Sequence, residues 1–213
     1  MEMGKDYSHA ERYELTVLFA DLRGFTSMSQ NLPPEDVRET CNEFLSAVSD
    51  VVIAHNGTID KYVGDEVMAL FGAPRPREDH ALLAASTALK MLEQLAALNR
   101  DWADQPWAPL RIGIGINSGE VSLGNFGSER RTEYTAVGDT VNLASRMEGL
   151  AEPGSTYVSE DTFRLAEGFF RFEALGEKEI KGKEKPLKVY RVIAPSSRRT
   201  RFEVSAERGL TPL

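Results

Sequence analysis

The chain has 213 residues, of which 41% are hydrophobic and 27% are charged, and its formal net charge is -8. This length and composition are typical of one soluble globular domain, and the acidic balance argues against binding to a nucleic-acid backbone, which draws on clustered Lys and Arg. A single cysteine excludes an internal disulfide and a thiolate metal cluster, and the charged first residues lack the apolar core of a signal peptide. We therefore predict a cytoplasmic protein without a membrane segment.

The first two thirds of the chain alternate strand-like and helical patterns. A strand-forming run at Glu14–Leu22 precedes a helical pattern that follows the prolines at 33–34. A Gly-Asp pair at 64–65 then separates two strand-like runs as a hairpin, and an Ala- and Leu-rich segment predicts a second helix. Residues 110–127 predict strands joined by tight turns. This order predicts an α+β fold with a ferredoxin-like βαββαβ core, a palm-like antiparallel sheet with helices packed on one face.

The last third of the chain predicts a C-terminal α/β extension of this core. A helical pattern at 139–150 is followed by strand-like runs at 155–159, 169–175 and 186–193. We predict an N-terminal lead at 1–12, a folded domain at 13–193 and a flexible C-terminal tail at 194–213, where all periodicity is lost.

Two aspartates are the first candidates for chemistry. Asp21 and Asp65 each lie at the end of a strand-like run near a glycine, and the predicted topology makes those strands neighbours. Either residue alone is usually a turn residue, but two adjacent carboxylates repel each other unless a cation lies between them. Mg²⁺ or Mn²⁺ binds one or two carboxylates together with water and substrate phosphates. The pair therefore favours a two-metal site for phosphoryl chemistry.

A second pair of polar residues lies on the predicted helix at 139–150. Asn142 and Arg146 are four positions apart and share one helix face, while Leu143, Met147 and Leu150 form the apolar face. By itself this pattern favours a surface pair on an amphipathic helix.

Three motifs carry a resemblance to a known family. They are FADLRGFT at 19–26, KYVGDEVMALFG at 61–72 and YTAVGDTVNLASRM at 134–147. In this order and spacing they resemble the catalytic domain of class III nucleotidyl cyclases, particularly the bacterial adenylyl cyclases with a threonine in the purine-recognition position. The resemblance covers Tyr13 to Ile193 and implies an enzyme that converts ATP to 3′,5′-cyclic AMP and pyrophosphate.

The resemblance implies roles for both candidate pairs. Asp21, Asp65 and the backbone carbonyl of Leu22 would hold two divalent cations, Mg²⁺ or Mn²⁺. From the opposite subunit, Asn142 would position the ribose and Arg146 would stabilise charge on the phosphorus in the transition state. One chain carries both halves of the site, so the resemblance implies a homodimer with two shared sites.

The same resemblance implies that two further residues recognise the purine base. The ammonium group of Lys61 can donate to adenine N1, and the hydroxyl of Thr135 can accept from the 6-amino group. Guanine inverts both requirements, since its N1 donates and its O6 accepts. We therefore predict a preference for ATP over GTP.

The substrate phosphates have candidates at two places in the chain. Backbone N–H groups at the turn formed by Gly24, Phe25 and Thr26 could point at a phosphate. By position Lys181 resembles the lysine that contacts the β and γ phosphates, although its neighbouring lysines are alternatives. Glu120 stands where some membrane-bound relatives have an arginine, which puts a pyrophosphate contact from that strand in doubt.

Three alternative functions stay open on the sequence. They are a guanylate cyclase, a diguanylate cyclase of the GGDEF type, and a catalytically silent domain for nucleotide binding or dimerisation. Val63 in place of the first glycine argues against the GGDEF type, and the retained aspartates, Asn142 and Arg146 argue against a silent domain. Members of the family with the threonine are often stimulated by bicarbonate or CO₂, which the resemblance makes a candidate effector.

Overall fold

The computed structural model describes residues 10–104, 109–128 and 130–196, which form one mixed sheet flanked by helices. In chain order the elements are β1 (Glu11–Arg23), α1 (Phe25–Asn31), α2 (Pro34–Ala54), β2 (Thr58–Val63), β3 (Glu66–Phe71), α3 (His80–Asp101), β4 (Arg111–Ser128), β5 (Arg131–Val137), α4 (Asp139–Leu150), β6 (Ser155–Ser159), α5 (Glu160–Ala166), β7 (Phe170–Lys178) and β8 (Leu187–Pro195).

The sheet has the order β2-β3-β1-β4-β6-β8-β7, and β5 pairs with β4 outside this path. The pairs within β2-β3-β1-β4 are antiparallel, while β6 runs parallel to β4. The hairpin of β2 and β3 therefore lies beside β1, as the sequence predicts, and β2 forms one edge of the sheet. The mixed α+β architecture of the prediction is confirmed.

One face of the sheet packs against α2 and α3. Alternate residues of β1, among them Leu18, Ala20 and Leu22, point into this layer because successive strand side chains face opposite sides. Phe44 of α2 and Met91 of α3 are fully buried against them. These two helices are the ones that the sequence predicts for the core.

The opposite face of the sheet is covered by α4 and β5. The intervening residues Val17 and Phe19 of β1 pack there with Ala136 and Ala144. Gly115 permits this layer to form, because a Cβ atom at that position would lie 1.9 Å from the backbone nitrogen of Glu148. The backbone of α4, in the C-terminal extension, therefore packs directly against strand β4.

Some local predictions are wrong. The turns expected at 110–127 are absent from the described chain, because this segment is the continuous strand β4, whose second half forms a hairpin with β5. The helices α1 and α5 were not predicted, since each has only seven residues and shows too few turns for a periodic pattern.

The proposed ends of the domain fall largely outside the described residues. The lead at 1–12 is described only from residue 10, and β1 begins at Glu11. The tail predicted at 194–213 is described only to residue 196, and β8 ends at Pro195. The domain boundaries therefore stay predictions.

Among the described helices, α3 is long and apolar enough to cross a bilayer by length and composition, with a mean hydropathy of 1.3. The sequence prediction did not anticipate this. Eight of its residues are buried in the domain, so α3 has the character of a core helix.

Candidate active site

Asp21 and Asp65 meet at one edge of the central strands. Asp21 lies near the end of β1, and Asp65 lies in the turn between β2 and β3. Burial and the negative charge of Asp21 raise the pKa of Asp65 to about 6, although backbone N–H groups of Asp65 and Leu22 donate to its carboxylate. The two carboxylates are thus close enough to repel each other, as the sequence predicts.

The donor set at this pair fits a divalent cation. No group of three or more His, Cys, Asp or Glu side chains among the described residues could hold a metal ion. Mg²⁺ and Mn²⁺, however, need only one or two carboxylates when water and substrate phosphates complete the shell. A cation between Asp21 and Asp65 would remove the repulsion that, together with the larger effect of burial, raises the pKa of Asp65.

The turn that follows Asp21 leads into α1. Gly24 adopts a left-handed backbone with φ of 83° and precedes the helix, whose first residues are Phe25 and Thr26. No side chain caps this helix, and the first N–H groups of any helix lack partners within it. The backbone that is predicted to contact phosphate therefore follows closely after Asp21 in the chain.

Lys61 and Thr135 are brought together by a residue that the sequence interpretation passed over. The Thr135 hydroxyl donates a hydrogen bond of 2.6 Å to Asp60 Oδ2, and Lys61 Nζ lies 3.6 Å from the same oxygen. Lys61 Nζ also lies 3.1 Å from Oε1 of Glu133, the residue two positions before Thr135 on β5. Lys61 and Thr135, the two residues predicted to recognise the purine base, therefore both contact Asp60.

A β-bulge explains why Asp60 and Lys61 both reach β5. Ile59 pairs with Ala69 and Lys61 pairs with Met68, so Asp60 is an extra residue in β2. Such a bulge breaks the strict alternation of side chains and re-aims them. Adjacency to Lys61 was the one signal in the sequence, but regular alternation would have placed Asp60 on the opposite face.

The two polar residues of α4 remain accessible. Asn142 is exposed and Arg146 is partly exposed, while Leu143 and Met147 are buried as predicted. Leu150, which was assigned to the apolar face, is 39% exposed. Arg146 forms no ion pair with any residue in the described ranges.

The loop between β7 and β8 packs beside Arg146. A Cβ atom at Gly182 would lie 3.1 Å from Arg146 Nη1, and Ile180 is buried against α4. In the same loop Lys183 forms an ion pair with Asp139, whereas Lys181 is exposed and has no ion-pair partner among the described residues. Of these two lysines in the loop beside Arg146, Lys181 is the one left accessible.

A cluster of charges beside Asp21 was not anticipated from the sequence. Arg23 extends over Gly113, where a Cβ atom would lie 2.1 Å from Arg23 Nη2, and reaches α4. Its guanidinium lies 2.6 Å from Glu148 Oε1 and donates to the backbone carbonyls of Glu148 and Ala151. Burial raises the pKa of Glu148 to about 7, with Arg23 acting in the opposite direction. The position of Arg23 inside the FADLRGFT motif was the available signal.

Glu120 forms an exposed ion pair on β4. Its carboxylate lies 3.3 Å from Arg12 Nη1 on the surface of the sheet. At this position β4 therefore presents a carboxylate that is already paired with Arg12.

The family model of the adenylate and guanylate cyclase catalytic domain matches residues 8–194. Because this match covers most of the chain, the protein belongs to the class III nucleotidyl cyclase family, in agreement with the resemblance of its three motifs.

Similar proteins include cyclases of both specificities. Adenylate cyclase 1 of Rhizobium meliloti is 36% identical over 186 residues, which cover 86% of this chain but only 28% of that protein. The crystal structure of the adenylyl cyclase CyaB from P. aeruginosa has a TM-score of 0.85 and 37% identity, covering 89% of this chain and 97% of that one. The guanylyl cyclase Cya2 has a TM-score of 0.83 and 36% identity, with 90% and 98% covered. Overall similarity thus defines a nucleotide cyclase without separating the two substrates.

Proposed function

We propose that this chain is an adenylate cyclase that converts ATP to 3′,5′-cyclic AMP and pyrophosphate. The observation that carries this proposal is the meeting of Asp21 and Asp65, because two facing carboxylates are what a catalyst of phosphoryl chemistry needs to bind divalent cations. The presence of Lys61 and Thr135 around Asp60 supports adenine as the base.

The metal site would be formed by Asp21, Asp65 and the backbone carbonyl of Leu22. Two Mg²⁺ or Mn²⁺ ions bound there would supply activation of the ribose 3′-hydroxyl and neutralisation of the phosphates. The N–H groups of α1 near Gly24, Phe25 and Thr26 would orient the phosphates of the bound nucleotide.

The remaining catalytic groups would come from α4 and the neighbouring loop. Asn142 would position the ribose, and Arg146 would stabilise the negative charge that develops on the α-phosphoryl group. Lys181 would contact the β and γ phosphates, since it lies in the loop beside Arg146 and lacks a competing ion pair in the described chain.

We infer a homodimer in which each site combines the metal-binding half of one chain with Lys61, Thr135, Asn142 and Arg146 of the other. Large apolar side chains are exposed near the candidate residues of β2 and β5, which supports an interface there. These side chains are Tyr62, Val63, Tyr134 and Val137. A cytoplasmic location and a response to bicarbonate or CO₂ stay predictions.

The proposal is tested by incubating the purified chain with ATP or GTP and with Mn²⁺ or Mg²⁺, over a range of protein concentrations. Cyclic AMP from ATP, with specific activity rising as the chain dimerises, is the expected result. Asp65→Ala should abolish the product, while Glu93→Gln, which removes an exposed carboxylate of α3, should not.

Two other outcomes would overturn the proposal. A higher rate of cyclic GMP formation from GTP would favour the guanylate cyclase, which the similarity to Cya2 supports. Absence of product from either nucleotide in a demonstrated dimer would favour a silent domain.

A further inference from the structure

The hydrogen bond between Thr135 and Asp60 fixes the polarity of the Thr135 hydroxyl. A hydroxyl has one proton to donate and two lone pairs to accept with. In this structure the proton is directed at Asp60 Oδ2 over 2.6 Å, whereas the other acceptor near it, the carbonyl of Ala136, is 3.5 Å away. The Thr135 oxygen can therefore face a substrate only as an acceptor.

Burial disfavours the ionised, acceptor-only form of Asp60, but each polar contact of its side chain within the described residues is with a donor or a cation. Its side chain is only 2% exposed, and burial raises its pKa. The hydroxyl of Thr135, the charge of Lys61 and the backbone N–H of Ala136 all act in the opposite direction, because each interacts favourably with an ionised carboxylate. Three donors thus converge on a group that is removed from water.

We propose that Asp60 is a positioning residue for base specificity, which selects a 6-aminopurine over a 6-oxopurine by holding the Thr135 hydroxyl as an acceptor and the Lys61 ammonium beside it. This inference rests on the proposed adenylate cyclase activity and names the group that sets its substrate preference. The 6-amino group of adenine would donate to the Thr135 oxygen. Guanine or hypoxanthine would place its O6 against that same oxygen, so that two acceptors face each other without a proton.

The bulge at Asp60 is the structural device that makes this arrangement possible. It lets adjacent residues contact β5 at the same time, Asp60 through Thr135 and Lys61 through Glu133. In a regular strand the two side chains would point to opposite faces, and only one of them could reach the base-reading residues. The specificity device therefore consists of the bulge, the buried carboxylate and the hydroxyl that it orients.

The test compares Asp60→Asn with the unmodified chain on four triphosphates: ATP, GTP, inosine triphosphate and purine riboside triphosphate, which lacks a substituent at C6. An asparagine amide can donate to the Thr135 oxygen, which frees the hydroxyl to donate to O6. We expect the ratio of kcat/KM for ATP to that for inosine triphosphate to fall by about tenfold or more, because a buried mispaired polar group costs at least that factor. The ratio of kcat/KM for ATP to that for purine riboside triphosphate should also fall.

Glu133→Gln is the matched control. It removes the other carboxylate beside Lys61, but Glu133 is 54% exposed, so the nucleotide ratios should change by less than about twofold. A uniform loss of rate on all four triphosphates in Asp60→Asn, with unchanged ratios, would overturn the inference and indicate a purely structural role for Asp60.

A second variant keeps the inference testable if Asp60→Asn does not fold. Thr135→Val removes the hydroxyl and should abolish the advantage of ATP over purine riboside triphosphate, whereas Thr135→Ser should retain it. If Thr135→Val keeps that advantage, the inference is wrong. Where both changes fold, Asp60→Asn should not alter the ratio for ATP over purine riboside triphosphate any further in the Thr135→Val background, because these two nucleotides differ only at C6.

Failure of the underlying function gives a different result. If the unmodified chain forms no cyclic nucleotide, or prefers GTP, the proposed adenylate cyclase activity fails before any variant is compared. Activity on ATP with ratios insensitive to Asp60 rejects only the role of Asp60.

Discussion

Arg23 of β1 and Glu148 of α4 form an ion pair across the face of the sheet, with Nη2 and Oε1 2.6 Å apart. Glu148 Oε1 has no aligned hydrogen bond among the described residues, because Nη2 of Arg23 donates to the carbonyls of Glu148 and Ala151 and Nη1 donates to Asp21 Oδ2. The pair therefore joins the strand that carries Asp21 to the helix that carries Asn142 and Arg146. Glu148 is also a buried carboxylate that titrates near neutral pH.

The stability of the domain should fall as Glu148 ionises. Its folded pKa of about 7 lies above the ordinary value of 4.5, so the favourable contribution of the protonated form is present below the ordinary pKa and is lost as pH rises to about 7. The loss amounts to about 3 kcal/mol, since one pKa unit corresponds to about 1.4 kcal/mol. Urea denaturation over this pH range should show the decline in the unmodified chain, and Glu148→Gln should reduce it. An equal decline in both proteins would contradict the assignment.

Removal of Arg23 should be harmful mainly above neutral pH. Arg23→Met leaves Glu148 without its counter-charge, and breaking a buried pair in this way costs about 3 kcal/mol when the carboxylate is ionised. At about pH 5 Glu148 is already protonated, so the cost should be smaller. Thermal unfolding at both pH values measures this difference, and Arg23→Met combined with Glu148→Gln should recover part of the loss. A cost independent of pH would show that Arg23 acts through its packing and its other polar contacts, with Asp21 and the carbonyls of Glu148 and Ala151, and not through the charge of Glu148.

The contact between Asp21 and Asp65 could be predicted from the sequence, because each residue lies at or near the end of a strand and the element order makes these strands neighbours. The sequence did not predict the contact of Asp60 with Thr135, since a bulge is a departure from alternation that no residue type in TIDKYV announces. The glycines at 113–127 were interpreted as turns. In the structure Gly115 instead gives room for the backbone of α4 at Ala144 and Glu148, a contact between separate elements that local patterns do not encode.

Two glycines of this region should respond oppositely to alanine. Gly115→Ala would place a Cβ atom 1.9 Å from the backbone nitrogen of Glu148 and 2.4 Å from the carbonyl oxygen of Ala144, so α4 must shift. We expect a destabilisation of about 2 kcal/mol or more, the range of overpacking. Gly149 lies within α4 with no atom near its added Cβ, and Gly149→Ala should stabilise the domain by about 0.5–1 kcal/mol. Denaturant unfolding measures the change in the free energy of unfolding for both variants. Similar effects of the two changes would contradict the close packing of α4 against β4.

Metal affinity should rise with pH through the titration of Asp65. The carboxylate must lose its proton to bind a cation, and its pKa of about 6 leaves roughly a tenth of it ionised at about pH 5. Binding of Mn²⁺ alone, followed by electron paramagnetic resonance, should therefore tighten about tenfold between about pH 5 and 7.5. Asp65→Asn should bind weakly at every pH, and Glu93→Gln should behave as the unmodified chain. A pH-independent affinity would separate Asp65 from the metal site.

Mixing two inactive variants should restore activity if the sites are shared between chains. Asp65→Ala breaks the metal-binding half, and Arg146→Ala breaks the half that α4 supplies. In a heterodimer of the two, one site combines the intact Asp65 of one chain with the intact Arg146 of the other, while the second site carries both changes. Random pairing makes half of the dimers mixed, each with one of two sites intact, so about a quarter of the unmodified activity should return. Cyclic AMP formation by the mixture, compared with each variant alone at the same total concentration, measures this. If the mixture stays inactive although exchange of subunits is demonstrated, Asp65 and Arg146 serve the same site from one chain.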